Sequence, residues 1–215
     1  MSPQSPSAFS STSFSSTSFS NIKFAPYWFD TIKPLGLAKL SENLECDLAI
    51  VGGGFTGLWS AIRAQERYPH LRIALFEASS LGYGGSGRNG GFLHASLTHG
   101  ALNGIDRWPD DYELLRELGE TNFAEIKAFV KQHKIECDWR DSGEIEVATA
   151  KHQVAALAAT RDIASKYGEV LIPLDEPAVK ARLNSPIFLA ANFEAETVAM
   201  VNPAALLIGL AQHGI

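Results

Sequence analysis

The sequence predicts an α/β chain in which a parallel βαβ unit is followed by the start of a mixed α+β region. Three observations carry that prediction. An almost wholly apolar run, Cys46 to Val51, ends in a glycine cluster at Gly52 to Gly54. A helix-period pattern follows at once, with Leu58, Ala61, Ile62 and Ala64 as its apolar positions. A second apolar run, Leu71 to Phe76, completes strand, glycine turn, helix and strand within about 30 residues, the length of one βαβ unit, whose crossover is almost always right-handed.

Residues 1–20 repeat the unit Ser-Ser-Thr-Ser-Phe and carry no charged side chain. Such a segment cannot bury enough surface to fold and is expected to be a disordered Ser-rich tail. It lacks the basic start and continuous apolar core of a secretory signal, and the arginines of a transit peptide. Tyr27, Trp28 and Phe29 read as a short leader that packs its rings onto the domain behind it. Cys46 to Val51 reads as a central strand covered on both faces, since buried parallel strands are continuous apolar runs. Tyr68-Pro69 closes the first helix, because the residue before proline is pushed out of the helical region. Leu71 to Phe76 is the second buried strand and ends on Glu77. A glycine-rich loop spans Gly82 to Gly91.

From Pro109 to His133, apolar positions at Leu115, Leu118, Phe123, Ile126, Phe129 and Val130 predict a long amphipathic helix. Glu144-Ile145-Glu146-Val147 alternates polar and apolar, as a half-exposed strand does. Val154, Leu157, Ala158 and Ala164 mark another helix, stopped by Gly168. Short β-like runs recur at 170–172, 187–190 and 197–201. Asn202 then caps a final helix with Pro203 in its first turn.

Composition narrows the function. The chain has 215 residues, 46% hydrophobic and 20% charged, which suits a globular protein with a real core. A formal net charge of −6 argues against nucleic-acid or anionic-membrane partners, which select basic surfaces. The longest clean apolar stretch, Ala204 to Ala211, falls far short of the ~20 residues of a membrane helix. Cys46 and Cys137 lack metal-ligand spacing and read as reduced, buried fillers of a cytoplasmic protein, with a single bridge left open. No metal site is expected.

Gly52-Gly53-Gly54-Phe55-Thr56-Gly57 fits the pattern G-x-G-x-x-G. The first glycine allows the tight turn out of the strand, the second lets backbone approach a pyrophosphate, and the third lets helix and strand pack closely. The phosphates would sit at the helix N-terminus, facing N–H groups and the positive end of the dipole. Glu77 lies twenty residues after Gly57, where a carboxylate accepts from ribose hydroxyls and repels a 2′-phosphate. Strand, motif, helix and carboxylate together point to a dinucleotide other than NADP. The loop Gly82-Tyr83-Gly84-Gly85-Ser86-Gly87-Arg88-Asn89-Gly90-Gly91, with six glycines, can wrap backbone donors around a second part of a long cofactor. Arg88 can pair with pyrophosphate charge. On physics alone the alternative reading of that segment is a flexible surface loop.

The run DLAIVGGGFTGLWSAI…LFEASSLGYGGSGRNGGF resembles the D-amino-acid-oxidase-like family of FAD-dependent oxidoreductases. The Gly-x-Ser-Gly-Arg-Asn-Gly-Gly loop, the Thr-Gly-Leu-Trp helix start and Cys137-Asp138-Trp139 are most similar to its gamma-glutamylputrescine oxidase-like branch. The likeness is dense over 46–92 and thinner over the rest of 25–215. It implies a Rossmann-like FAD-binding unit and FAD contacts from Gly52, Gly54, Phe55, Thr56, Gly57, Glu77, Ser86, Arg88, Asn89, Gly90 and Gly91. Where some relatives attach flavin through histidine this chain has Asn89, which implies non-covalent FAD. The implied reaction is oxidation of a C–N bond of a small-molecule amine or amino acid by hydride transfer to flavin.

On the same resemblance, 1–20 is the tail, 21–140 the N-terminal part of the FAD-binding domain, 141–201 a portion of the substrate domain, and 202–215 a helix returning to the first domain. Family members are considerably longer, so the C-terminal half of the fold, with most catalytic residues, is expected to lie outside this chain, in a longer polypeptide or a second chain. No catalytic residue is assigned within these positions. The rival readings are a truncated, non-catalytic dinucleotide-binding fragment and an NAD-dependent dehydrogenase. His94 and His99 are expected to be plain polar residues ending the loop, Trp139 core, and Glu144 with Glu146 a solvated strand face.

Overall fold

The computed structural model describes residues 25–214; the expected Ser-rich tail, residues 1–20, lies outside them. The βαβ unit forms as the pattern predicts, from β1 (Leu48–Val51), α1 (Phe55–Arg67) and β2 (Ile73–Phe76). The strands run parallel, with Leu48 opposite Ile73 and Val51 opposite Phe76. Asp47 and Arg72 hold that register at its start. The Arg72 guanidinium donates to both Asp47 oxygens at 3.0 and 3.1 Å, and the Arg72 amide adds a third bond at 2.8 Å. These bonds, the side-chain bond first, pull the exposed Asp47 carboxyl down to about 2.

After β3 (Phe92–His94), helix α2 (Ala101–Arg107) leads into the long α3 (Tyr112–Gln132). Then come β4 (Glu144–Ala148), α4 (Lys151–Ala164), β5 (Ile172–Leu174), α5 (Glu176–Arg182), β6 (Ala190–Glu194), β7 (Val198–Met200) and α6 (Pro203–Gly214). The strands form a parallel β1–β2 pair, an antiparallel β3–β7 pair, and an antiparallel sheet in the order β4–β6–β5.

The principal core is where α1 meets α6 and the C-terminal end of α3. Leu58 and Ile62 of α1 pack with Phe129, Val130, Ile135 and Cys137 and with Leu206, Leu207 and Leu210 of α6. Leu58, Leu207 and Leu210 are wholly inaccessible, and burying each such side chain contributes about 1.5–3 kcal/mol. Helix α6 therefore braces the helix that opens at the glycine turn. Its start is the predicted cap: Asn202 Oδ1 accepts from the Ala205 amide at 3.1 Å.

Several expectations need correcting. Strand β1 is not covered on both faces. Among the described residues it pairs with β2 alone, and Val51 is 87% exposed. An apolar run reports hydrophobicity, not how many neighbours cover it. The β-like runs at 170–172 and 187–190 are displaced: Val170 and Ile187 are exposed and the strands begin at Ile172 and Ala190. Register overrides apolar content here, because β6 buries the polar Asn192, whose amide reaches Leu157 O at 3.1 Å and whose carbonyl accepts from Arg161 at 2.6 Å. The short helices α2 and α5 were not foreseen. Helix α5 nonetheless carries a start signal, with Asp175 accepting from the Ala178 amide at 2.9 Å and proline in the first turn. Both cysteines are free; Cys137 is buried, Cys46 only partly so.

Candidate dinucleotide site

The glycines of the turn between β1 and α1 are each fixed by geometry. Gly52 has φ of 109°, in the region that favours glycine, and a Cβ there would meet nothing within 4 Å. That open face is where backbone can be presented to a ligand. A Cβ on Gly57 would fall 1.9 Å from Gly52 O, so the helix packs against the turn only because that atom is missing. A Cβ on Gly54 would fall 2.8 Å from Ser86 Oγ. Helix α1 has Gly54 at its N-cap without a capping side chain of its own, and the first N–H groups of any helix lack intrahelical acceptors.

Glu77 directly follows β2, at the predicted strand tip, and leans onto the turn. Oε2 accepts from the Gly53 amide at 2.8 Å and Oε1 from the Ser79 amide at 2.8 Å. Those bonds, Gly53 first, lower the carboxyl's pKa, because hydrogen bonds to the charged form favour it. The carboxylate stays ionised and keeps lone pairs to accept from ribose hydroxyls.

The glycine-rich loop comes to the same place. Ser86 Oγ accepts from the Phe55 amide at 3.0 Å, across the opening of α1, so residues 31 positions apart meet at the helix N-terminus. Asn89 organises the loop internally: Nδ2 donates to Ser86 O at 2.8 Å and Gly85 O at 3.3 Å, and Oδ1 accepts from the Gly91 amide at 2.9 Å. Arg88 folds back, with Nε on Tyr83 O at 2.6 Å and the guanidinium 4.8 Å from the Tyr83 ring centre. Cβ atoms on Gly84 and Gly85 would meet nothing within 4 Å, so this part of the loop also offers bare backbone to open space.

Gly52, Gly53, Gly54, Phe55, Glu77 and Ser86 are thus joined by direct contacts, while Arg88 is turned onto its own loop. Sequence reasoning missed Trp28, whose Nε1 donates to Asn89 O at 2.9 Å. Its aromatic neighbourhood was visible, but nothing in the sequence says which loop it reaches. His94 lies elsewhere, with Nε2 3.4 Å from a Glu144 oxygen and 3.7 Å from a Glu194 oxygen. It lines a cavity of about 890 Å³ together with Tyr112, Glu120, Glu144, Glu169 and Glu194. Burial, with the Glu169, Glu144 and Glu120 charges, pushes the Glu194 carboxyl up to about 7. Glu144 and Glu146 are both exposed, the solvated strand face expected, and border that cavity. Trp139 packs against Phe123 at 5.9 Å with its indole donating to Asp141, the expected core role. Among the described residues no helix is long and apolar enough to cross a membrane.

Comparison with known proteins places the chain in a family. The family described as FAD dependent oxidoreductase matches residues 47–214. The gamma-glutamylputrescine oxidoreductase of Escherichia coli (strain K12) is 32% identical over 176 residues, 79% of this chain and 39% of that protein. Among solved structures, glycine oxidase from Bacillus cereus ATCC 14579 has a TM-score of 0.63 at 21% identity, covering 79% of this chain and 44% of that one. L-Amino acid deaminase from Proteus myxofaciens gives 0.64 at 17% identity, covering 85% and 39%. The chain thus spans less than half the length of each of these relatives.

Proposed function

The chain belongs to the family of FAD-dependent oxidoreductases, and from that premise we propose that the protein oxidises a C–N bond of a small-molecule amine or amino acid. FAD is the cofactor, which sets aside the NAD reading. The observation that carries the assignment of the site is the convergence of three separate segments on the opening turn of α1: Gly52–Gly57, Glu77 and the loop around Ser86.

The residues fit the group. The open backbone at Gly52 and the N-terminus of α1, through Gly54, Phe55, Thr56 and Gly57, would hold the pyrophosphate. Glu77, held ionised by two backbone amides, would take the adenosine ribose hydroxyls. Ser86, Arg88, Asn89, Gly90 and Gly91 would line the next stretch of the cofactor, Arg88 by turning from Tyr83 toward phosphate. Asn89 spends its carboxamide inside the loop and is no nucleophile, so it forms no covalent bond to flavin, which supports non-covalent FAD at this position. When bound there, FAD would supply a two-electron acceptor for the hydride of the carbon bearing nitrogen, leaving an imine for water to hydrolyse. This chain's part is to bind and orient. Residues 21–140 and 202–215 form the FAD-binding portion and 141–201 a substrate-domain portion.

The amine assignment rests on the 32% identity with the gamma-glutamylputrescine oxidoreductase. It is tested by adding substrates anaerobically to the FAD-loaded protein and following loss of the visible flavin bands. Bleaching by γ-glutamylated amines, free amines or amino acids is expected. Bleaching by 2-hydroxy acids alone would overturn the C–N reading while leaving the cofactor in place.

A further inference from the structure

We propose that the 3-10 turn Tyr27–Asp30 is a clamp that positions the glycine-rich loop against the opening of α1, with Trp28 as its positioning residue; this rests on the reading that the loop lines the FAD site. The turn touches the loop at two levels. The Trp28 indole N–H donates to Asn89 O at 2.9 Å, joining residues 61 positions apart, and its ring edge would lie 3.5 Å from a Cβ on Gly91. The Phe29 ring lies against the bare backbone of two glycines: a Cβ on Gly87 would fall 2.5 Å from it and one on Gly82 3.3 Å. These glycines are therefore the seat of an aromatic ring, a role distinct from facing a ligand.

The other side of the turn is anchored to α6. Thr31 Oγ1 donates to Trp28 O at 2.7 Å and accepts from Asn202 Nδ2 at 2.8 Å, while Asn202 Oδ1 caps α6. A continuous path of directional contacts results. It runs from the cap of α6 through Asn202, Thr31 and Trp28 to Asn89, and through the Asn89 amide to Ser86 O. Ser86 Oγ then accepts from Phe55 at the first turn of α1. The helix that braces α1 from behind also sets, through the leader, the loop in front of it.

The clamp has a physical purpose. A ten-residue segment with six glycines has more backbone freedom to lose on ordering than one of ordinary composition. If the loop orders only when cofactor arrives, the affinity falls by the fraction of chains already in the competent shape. A tie to a rigid helix raises that fraction before binding.

The test uses the full 215-residue chain as wild type, Trp28→Phe and Thr31→Val. FAD affinity is measured by flavin fluorescence, and amide hydrogen exchange is measured without FAD. Trp28→Phe keeps an aromatic ring but removes the N–H together with part of the indole; Thr31→Val cuts the tie to α6 without touching the loop and so isolates the hydrogen-bonded path. Each is expected to weaken FAD by about fivefold, the scale of one lost hydrogen bond, and to speed exchange over 85–91 while α1 and β2 keep wild-type rates. Unchanged FAD affinity in Trp28→Phe overturns the clamp, as does exchange that rises equally in α1 and α6, the mark of general loosening. A wild-type chain that takes no FAD sinks the cofactor-site reading and the clamp with it, and that failure shows in the wild-type arm before any variant is compared.

Discussion

Replacing Gly57 by alanine adds one methyl group at a place where the structure has no room. The new Cβ would sit 1.9 Å from Gly52 O and 3.1 Å from Gly52 C, with Ile50 Cγ2 at 3.6 Å. To restore contact near 3.2 Å the helix start must retreat by roughly 1.3 Å, or the turn must open by as much, in an interior that is close-packed. Neither moves freely. Leu58, the next residue, is wholly buried and Ile62 is 4% exposed, both packed in the cluster with Leu207 and Leu210 of α6. The other side is backbone, which cannot rotate aside as a side chain does. Overpacking costs about 1–3 kcal/mol, and this contact belongs at the top of that range. At about 2–4 °C per kcal/mol for a chain of this size, the melting midpoint should fall by about 6–12 °C. Circular dichroism of the flavin-free chain measures it, with Gly85→Ala as the control, since a Cβ there meets nothing within 4 Å. A Gly57→Ala midpoint within about 1 °C of wild type would refute the close-packing argument.

Glu77→Gln turns one acceptor into an amide donor that faces a backbone N–H; a destabilisation of about 1–3 kcal/mol at pH 7 is expected by urea denaturation. Because the folded pKa of Glu77 is lowered from 4.5, its stabilisation is present above that pH and lost as pH falls through the folded value, so the variant and wild type should converge in acid. Glu194 has the opposite sign: its folded pKa is raised from 4.5 to about 7, so wild-type stability falls as pH rises through that window. Glu194→Gln should therefore match wild type near pH 4.5 and exceed it at pH 8 by up to about 3 kcal/mol; equal melting curves at pH 8 would contradict the buried-carboxylate reading. Asn202→Ala removes both the α6 cap and the bond to Thr31 and should cost about 1–2 kcal/mol in the same denaturation assay.

The sequence was most legible where chemistry and fold impose the same constraint. The turn at Gly52–Gly57 makes a close helix–turn contact that excludes a Cβ and is proposed to hold a phosphate as well, so its glycines announce it. Asn202-Pro203 is a local signal satisfied locally, and the cap forms as read. The long-range features were hidden. The placing of β6 depends on Asn192 finding Arg161 and Leu157 O, partners more than thirty residues away, and an apolar pattern cannot encode a buried amide that is satisfied elsewhere. The apolar run of β1 predicted burial on both faces, yet Val51 stands exposed, because the run does not state how many strands flank it. Within the site, Ser86 and Glu77 were readable as types at a spacing. The loop's dependence on Trp28 was not, since a tie across 61 residues leaves no periodic trace.

The most direct test of the central claim is amide hydrogen exchange of the chain with and without saturating FAD. The arrangement of Gly52–Gly57, Glu77 and the Ser86 loop predicts slower exchange on FAD addition over 52–57, 77–79 and 85–91, with little change around the Glu194 cavity. Exchange in those three segments that is unchanged by FAD, or protection confined to the cavity lined by His94, Glu144 and Glu194, would contradict it.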